Sequence, residues 1–141
     1  MQQLRQQLVQ TALKWEQAFG NAPSITSTLS EYDAAMLLGL TPEQYSECMY
    51  GATAVQKGYD FVFQGKRYQV KGNRPSGKPG SFVTWVSKAT NYEWDFLVWI
   101  LYDSRYEVQE AWLWEVSEYM AQFDPIKRLS PVHYRRGKRL P

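Results

Sequence analysis

Apolar residues recur along the first part of the chain with helical spacing. Over residues 2–19 they return every three or four positions, which predicts an amphipathic helix. The predicted apolar face consists of Leu4, Leu8, Ala12, Trp15 and Phe19. Gly20 and Pro23 follow and predict the end of this helix.

Two further helices are predicted before the pattern changes. The second runs from about Ser30 to Leu38, and Gly39 is a favourable residue just past a helix end. The third is short and begins after Thr41, because Thr41 can cap its first turn and Pro42 suits the first helical position.

The rest of the chain alternates with the period of strands. Two short strands, 59–63 and 66–71, flank a turn at Gln64 and Gly65. A loop follows at 72–80, and Phe82–Val86 fits a strand or a helix start equally well. The other predicted elements are a buried strand at 95–102, a strand at 110–116 and a helix at 117–123. This order predicts an α/β domain with a small mixed sheet of about four strands flanked by helices.

The predicted hairpin separates its side chains by chemistry. With the turn at Gln64 and Gly65, Asp60 lies opposite Gln69, and side chains alternate between the two faces. One face carries Tyr59, Phe61, Phe63, Tyr68 and Val70, and is apolar. The other carries Asp60, Val62, Arg67, Gln69 and Lys71.

The polar face of the hairpin has two interpretations. Cross-strand neighbours lie within ~5.5 Å, so Asp60, Gln69 and Lys71 can meet around one hard cation such as Mg²⁺. The lysine would orient a water molecule or neutralise charge on a phosphate. Alternatively, this face is solvated, and Asp60 and Lys71 form a weak surface ion pair.

Glu31 is a second candidate acid. It shares a helix face with Ala34, Ala35 and Leu38, whereas Asp33 points the other way. A carboxylate on an apolar face must be paired, serve as a cap or have a function. Glu31 either completes a capping box that begins at Thr28, or contributes to a metal site; both roles remain open.

Length, charge and composition narrow the classes of protein. The 141 residues suit one domain, 1–141, with an additional N-terminal helix and a basic C-terminal tail, 125–141. Net charge is +2, yet Lys127–Arg139 carries six cations and no acid. This tail is either a solvated end or an arm that binds phosphates.

The chain lacks the residues for several other kinds of site. One cysteine and one histidine exclude an intrachain disulfide and a Cys/His zinc site. No stretch approaches the ~20 apolar residues that cross a bilayer, and Met1 does not begin a signal peptide. A cytoplasmic protein that does not span a membrane is expected.

The chain resembles the PD-(D/E)xK, or restriction-endonuclease-like, nuclease superfamily over about residues 28–116. The resemblance is to small bacterial members with a helix glutamate and a Gln-x-Lys motif. It is carried by Ser-Glu-Tyr-Asp-Ala-Ala-Met-Leu-Leu-Gly-Leu around Glu31, by Gly-Tyr-Asp ending at Asp60, and by Tyr-Gln-Val-Lys-Gly around Lys71.

The resemblance implies a fold and a set of roles. The implied core is α-β-β-β-α-β, and the implied Mg²⁺ (or Mn²⁺) ligands are Glu31, Asp60, Gln69 and the backbone carbonyl of Val70. Lys71 matches the motif lysine. Gln69 stands where the family usually has Asp or Glu, but its amide still offers an oxygen.

Two functions follow as expectations. The first is a metal-dependent endonuclease that hydrolyses DNA, as a homodimer if it cuts both strands. The second is a catalytically silent nuclease-fold module that binds nucleic acid or a protein. The candidate phosphate contacts, for which plain solvation is the alternative, are Arg74, Lys78, Lys88, Arg135 and Arg136.

Overall fold

The computed structural model describes residues 2–51 and 58–141, which form a mixed α/β arrangement. The helices in these residues are α1 (Gln2–Phe19), α2 (Thr26–Leu38), α3 (Pro42–Gly51), α4 (Val116–Phe123) and α5 (Pro131–Tyr134). The strands are β1 (Phe61–Phe63), β2 (Lys66–Asn73), β3 (Phe96–Tyr102), β4 (Val108–Glu115) and β5 (Lys138–Arg139).

The strands of the described residues form one five-stranded sheet in chain order, β1-β2-β3-β4-β5. Strands β2 and β3 are parallel, and the other neighbours are antiparallel. The predicted hairpin register is confirmed, since Phe61 pairs with Tyr68 and Phe63 with Lys66. Gln64 and Gly65 both have positive φ, 52° and 77°, as a tight two-residue hairpin turn requires.

The connections differ from the expected α-β-β-β-α-β order. Strands β3 and β4 are joined by a short turn at 103–107, not by a helix. The parallel strands β2 and β3 are linked by residues 74–95, all described, which contain no helix and only an isolated bridge from Val86 to Leu129. The α/β class and the mixed sheet are confirmed, with five strands instead of about four. The restriction-endonuclease-like core stays a prediction.

Both faces of the sheet are covered, which explains the continuous apolar run of β3. Val98 and Ile100 pack with α1 and α2, whereas Leu97 and Trp99 pack on the opposite side with α4 and α5. All four side chains are fully buried. A strand buried on both faces needs apolar residues at every position, so the predicted buried strand is confirmed.

Helix α1 is rotated relative to the prediction from its apolar face. It buries Val9 and Ala12, while Leu4, Leu8, Trp15 and Phe19 are exposed. Two polar residues on its inner side explain the rotation: Arg5 forms an ion pair with Asp33, and Glu16 forms one with Arg74.

Asp33 is likewise buried, although its position on α2 predicted an outward side chain. Its carboxylate accepts hydrogen bonds from the guanidinium of Arg5 at 2.7 and 2.8 Å and from the Tyr102 hydroxyl at 2.6 Å. Pairing with Arg5 offsets the cost of burying this charge.

The basic C-terminal segment is part of the packed structure and not a free arm. Leu129, Pro131 and Tyr134 are buried, and β5 pairs with β4. The Tyr134 hydroxyl donates to the Ser87 carbonyl at 2.7 Å. Within residues 2–51 and 58–141, no helix has both the length and the apolarity needed to cross a bilayer.

Candidate functional site

The candidate site lies beside the part of β2 that extends past the start of β1 and has no pairing with it. Strand β1 pairs only with the first three residues of β2. Just before β1, the Asp60 amide donates to the Tyr68 carbonyl at 2.7 Å, and the Asp60 carboxylate accepts from the Val70 amide at 2.7 Å. The Asp60 side chain therefore replaces the missing strand partner of Val70.

The backbone of Val70 faces the same edge as Asp60. In a strand, the N–H and the C=O of one residue point to the same neighbouring strand. Because the Val70 N–H points to Asp60, its carbonyl oxygen also faces this edge. The edge thus offers a carboxylate and a backbone oxygen side by side.

Glu31 reaches this edge from α2. The helix crosses β2 closely: a Cβ at Gly72 would lie 2.6 Å from the Cβ of Ser30, so only glycine fits there. Burial, the negative charge of Asp60 and a hydrogen bond with Asp60 raise the pKa of Glu31 to about 8. Two acids from separate elements therefore meet at one point.

The capping alternative for Glu31 is wrong. Helix α2 begins at Thr26, earlier than predicted, and Ile25 precedes it without a side-chain cap. Thr28 lies inside the helix, so Glu31 is not the third residue after a cap. Its carboxyl group faces Asp60 instead.

Gln69 and Lys71 lie on the opposite face of β2 from α2. They pair in register with Leu97 and Trp99 of β3, which belong to the core beneath α4 and α5. Both are half-buried. Their predicted common face is confirmed, but Asp60 lies at the sheet edge between the two faces and not on theirs.

The Glu31–Asp60 pair differs from the ion-paired acids. The described residues contain four ion pairs, and each joins a carboxylate to an arginine: Arg5–Asp33, Arg67–Asp95, Arg74–Glu16 and Arg135–Glu110. Neither Glu31 nor Asp60 has such a partner within the described part of the chain. Two carboxylates in contact without a cation are costly, and a bound cation would relieve that cost.

The Glu31–Asp60 pair, here called the acid pair, offers too few ligating side chains to hold a metal ion alone. Among residues 2–51 and 58–141, no group of three or more His, Cys, Asp or Glu side chains is arranged to hold a metal ion. A cation here would take two carboxylates, the Val70 carbonyl, the Gln69 amide oxygen and water. Oxygen-only ligands suit Mg²⁺ and Mn²⁺.

Tyr45 is a neighbour of the acid pair that sequence reasoning missed. Burial, followed by the negative charges of Glu31 and Asp60, raises the pKa of Tyr45 to about 12. Its ring packs edge-on against Phe61 with the centroids 6.4 Å apart. The Thr41 cap that predicts α3 is confirmed by two hydrogen bonds with Gln44, yet no local pattern predicts where α3 packs.

Three of the side chains expected to contact phosphates form hydrogen bonds or ion pairs within the fold. Arg74 binds Glu16 and the Ser104 carbonyl and stacks on Tyr106 at 4.2 Å. Lys88 donates to the carbonyls of Asp124 and Ile126 at 2.7 and 3.0 Å. Arg135 forms a bidentate ion pair with Glu110. These three side chains hold parts of the fold together, and their contacts with phosphates stay a prediction.

Lys78 and Arg136 remain as candidates. Both are exposed, and neither side chain forms an ion pair with a carboxylate in the described ranges. They are therefore the two expected contacts whose charge is still available for a ligand.

Comparison with known proteins adds no family to this geometry. A scan against protein-family models finds no match, and a search of curated proteins finds none either.

Proposed function

We propose that the protein is a metal-dependent endonuclease that hydrolyses phosphodiester bonds in DNA. The observation that carries the proposal is the Glu31–Asp60 pair, which lacks a cationic partner among the described residues and lies beside Val70, beyond the part of β2 that pairs with β1.

The chain supplies ligands of the right chemistry for one divalent cation. Glu31, Asp60 and the Val70 carbonyl would hold Mg²⁺ or Mn²⁺ at the edge, and Gln69 would add an amide oxygen. Such a cation stabilises the negative charge that develops on the phosphate during hydrolysis. Asp60 is oriented for this role because the Val70 amide holds its carboxylate at 2.7 Å.

Lys71 supplies the positive charge on the other side of the edge. It follows Val70 in β2 and lies on the face that carries Gln69. From there its ammonium group orients the attacking water or neutralises a phosphate oxygen. Its half-buried position strengthens these interactions relative to bulk water.

A second function is favoured by one feature of the site. Gln69 provides no charge, so the site carries two carboxylates where the nucleases that the chain resembles usually carry a further acid. A silent module of the same fold would bind nucleic acid or a protein without needing a metal. Such binding to nucleic acid would weaken as salt rises and would be unchanged by EDTA.

The test of the nuclease proposal is nicking of supercoiled plasmid DNA in Mg²⁺, in Mn²⁺ and in EDTA. We expect wild type to nick the plasmid with either metal and not in EDTA. Asp60→Asn should lower the rate at least ~100-fold, because it removes a charged ligand. The variant keeps an oxygen for the Val70 amide, so the fold should survive.

Asp95→Asn is a matched control for this experiment. Asp95 also accepts a backbone N–H of β2, from Arg67 at 2.8 Å, but lies away from the acid pair. We expect Asp95→Asn to retain nicking within a few-fold of wild type. Nicking in EDTA, or equal loss in both variants, would contradict the assignment of the site.

A further inference from the structure

Trp85 is exposed although the backbone around it is well anchored. The residue lies in the segment that links β2 to β3, and 54% of its surface is exposed. Its neighbour Val86 is buried and donates its N–H to the Leu129 carbonyl at 3.1 Å. The Trp85 carbonyl itself lies 3.5 Å from the Asn73 side-chain amide.

The residues after Val86 are held equally well. The Ser87 carbonyl accepts from the Tyr134 hydroxyl at 2.7 Å, and the Ala89 amide donates to the Tyr119 hydroxyl at 3.0 Å. Lys88 reaches two carbonyls at the end of α4. A loose loop therefore does not account for the exposure of Trp85. The segment is fixed while its largest side chain is left outside the core.

A cation lies on the ring of Trp85. The pairing of Val86 with Leu129 brings Arg128 alongside, and its guanidinium lies 4.4 Å from the ring centroid. Arg128 and the adjacent Lys127 are both exposed, and neither forms an ion pair with a carboxylate in the described part of the chain. An aromatic ring beside two cations that have no carboxylate partner among the described residues suits a ligand that is both flat and anionic.

The backbone of Trp85 lies close to the strand that carries Lys71. Asn73 and Lys71 are two residues apart on one face of β2, which places them about 7 Å apart. Asn73 accepts from the Trp99 indole at 2.9 Å and approaches the Trp85 carbonyl from the same face. A strand whose phosphate lay at Lys71 could reach Trp85 within a few nucleotides.

We propose that Trp85 and Arg128 bind an unpaired nucleobase of the nucleic acid whose backbone lies at Lys71. The proposal rests on the proposed nuclease function and names its substrate class: DNA with single-stranded or unpaired nucleotides. A ring can stack only on a base whose face is free, so paired duplex would not engage it. Stacking tolerates any base, and Arg128 adds attraction to the phosphates.

The test is fluorescence polarisation with a labelled single-stranded oligonucleotide of mixed sequence, in EDTA so that nothing is cut. Wild type should bind it more tightly than the matching duplex. Trp85→Ala should bind it about 5- to 100-fold more weakly, the loss expected for one stacked base, and Trp85→Phe should recover part of the affinity. Trp15→Ala is the control, because Trp15 is also half exposed but lies on α1.

Several outcomes would overturn the proposal. These are equal binding of duplex and single strand, unchanged affinity in Trp85→Ala, or an equal loss in Trp15→Ala. Plasmid nicking separates this proposal from the function on which it rests. Metal-dependent nicking with unchanged affinity in Trp85→Ala would reject the stacking site alone. Weakened binding without any nicking would reject the nuclease and leave a module that binds single strands.

Discussion

At the scale of single residues, burial, followed by contact with Asp60, sets the chemistry of Glu31. Without a cation, the carboxyl group of Glu31 is favoured in its protonated form, and its pKa rises to about 8. The unfolded chain has no such contact, so its Glu31 titrates near the ordinary value of about 4.3. Protonation therefore stabilises the folded state at low pH, and this contribution is lost as pH rises through 8.

Glu31→Gln should remove this pH dependence. In EDTA, the free energy of unfolding of wild type should fall between pH 5 and pH 8.5 by about 1 kcal/mol more than that of the variant. This figure is reduced from the full effect because Glu31 is only half-buried and solvent screens its charge. Urea unfolding at the two pH values measures the difference. Glu107 is an exposed glutamate in the β3–β4 turn, and Glu107→Gln should behave like wild type. Parallel pH curves for wild type and Glu31→Gln would contradict a raised pKa of Glu31.

The sequence predicted the hairpin residues better than the cations. The period of two along a strand and the two-residue turn predict the register of residues 61–63 with 66–68 and the common face of Gln69 and Lys71, and both are confirmed. They do not predict that Asp60 lies at the sheet edge, where its carboxylate accepts from the Val70 amide. No such period governs Arg74 or Lys88. Their partners, Glu16 and the end of α4, are distant in sequence, so only the packed structure shows that these charges are occupied.

At the scale of elements, α1 shows where an apolar pattern misleads. Its apolar face predicted burial of Trp15 and Phe19, but the ion pairs of Arg5 and Glu16 turn the opposite side of the helix inward. Trp15 and Phe19 stack on each other outside the core, with ring centroids 4.7 Å apart. Hydrophobic periodicity weighs only apolar residues, so it cannot anticipate a helix that is oriented by buried charges.

This orientation of α1 predicts unequal effects for two tryptophan substitutions. Trp15→Ala should change the free energy of unfolding by no more than about 0.5 kcal/mol, because half of its side chain is already in water. Trp114→Ala should cost about 3–5 kcal/mol, since Trp114 is fully buried against Tyr119 and Phe123. Urea unfolding compares the two, and similar losses would contradict the observed orientation of α1.

At the scale of the whole molecule, the class of fold was predictable and its connections were not. Runs of apolar residues identify β3 and β4, and the order of elements indicates a mixed sheet. The last strand, β5, has two residues and no apolar alternation, so nothing local marks it. It forms because the basic segment is anchored by Leu129 and Tyr134, which are buried beneath the sheet.

The candidate site lies at the boundary between the two hydrophobic clusters that cover the opposite faces of the sheet. Glu31 comes from the side of α1 and α2, whereas Lys71 lies on the side of α4 and α5. Strand β2 joins the two sides, and β1, which is short, pairs only with its first three residues. The site therefore depends on the fold as a unit and not on the hairpin alone.

Two lysines of β2 test whether a nuclease site lies at this sheet edge. Lys71 lies at the proposed site, and Lys66 lies on the same strand at the exposed hairpin turn. The measurement is the rate of nicking of supercoiled plasmid in Mn²⁺ by Lys71→Ala and by Lys66→Ala, beside wild type. We expect Lys71→Ala to lose ~100-fold or more in rate, while Lys66→Ala stays within a few-fold of wild type. Equal rates in the two variants, or no metal-dependent nicking by wild type, would contradict a nuclease site at this sheet edge.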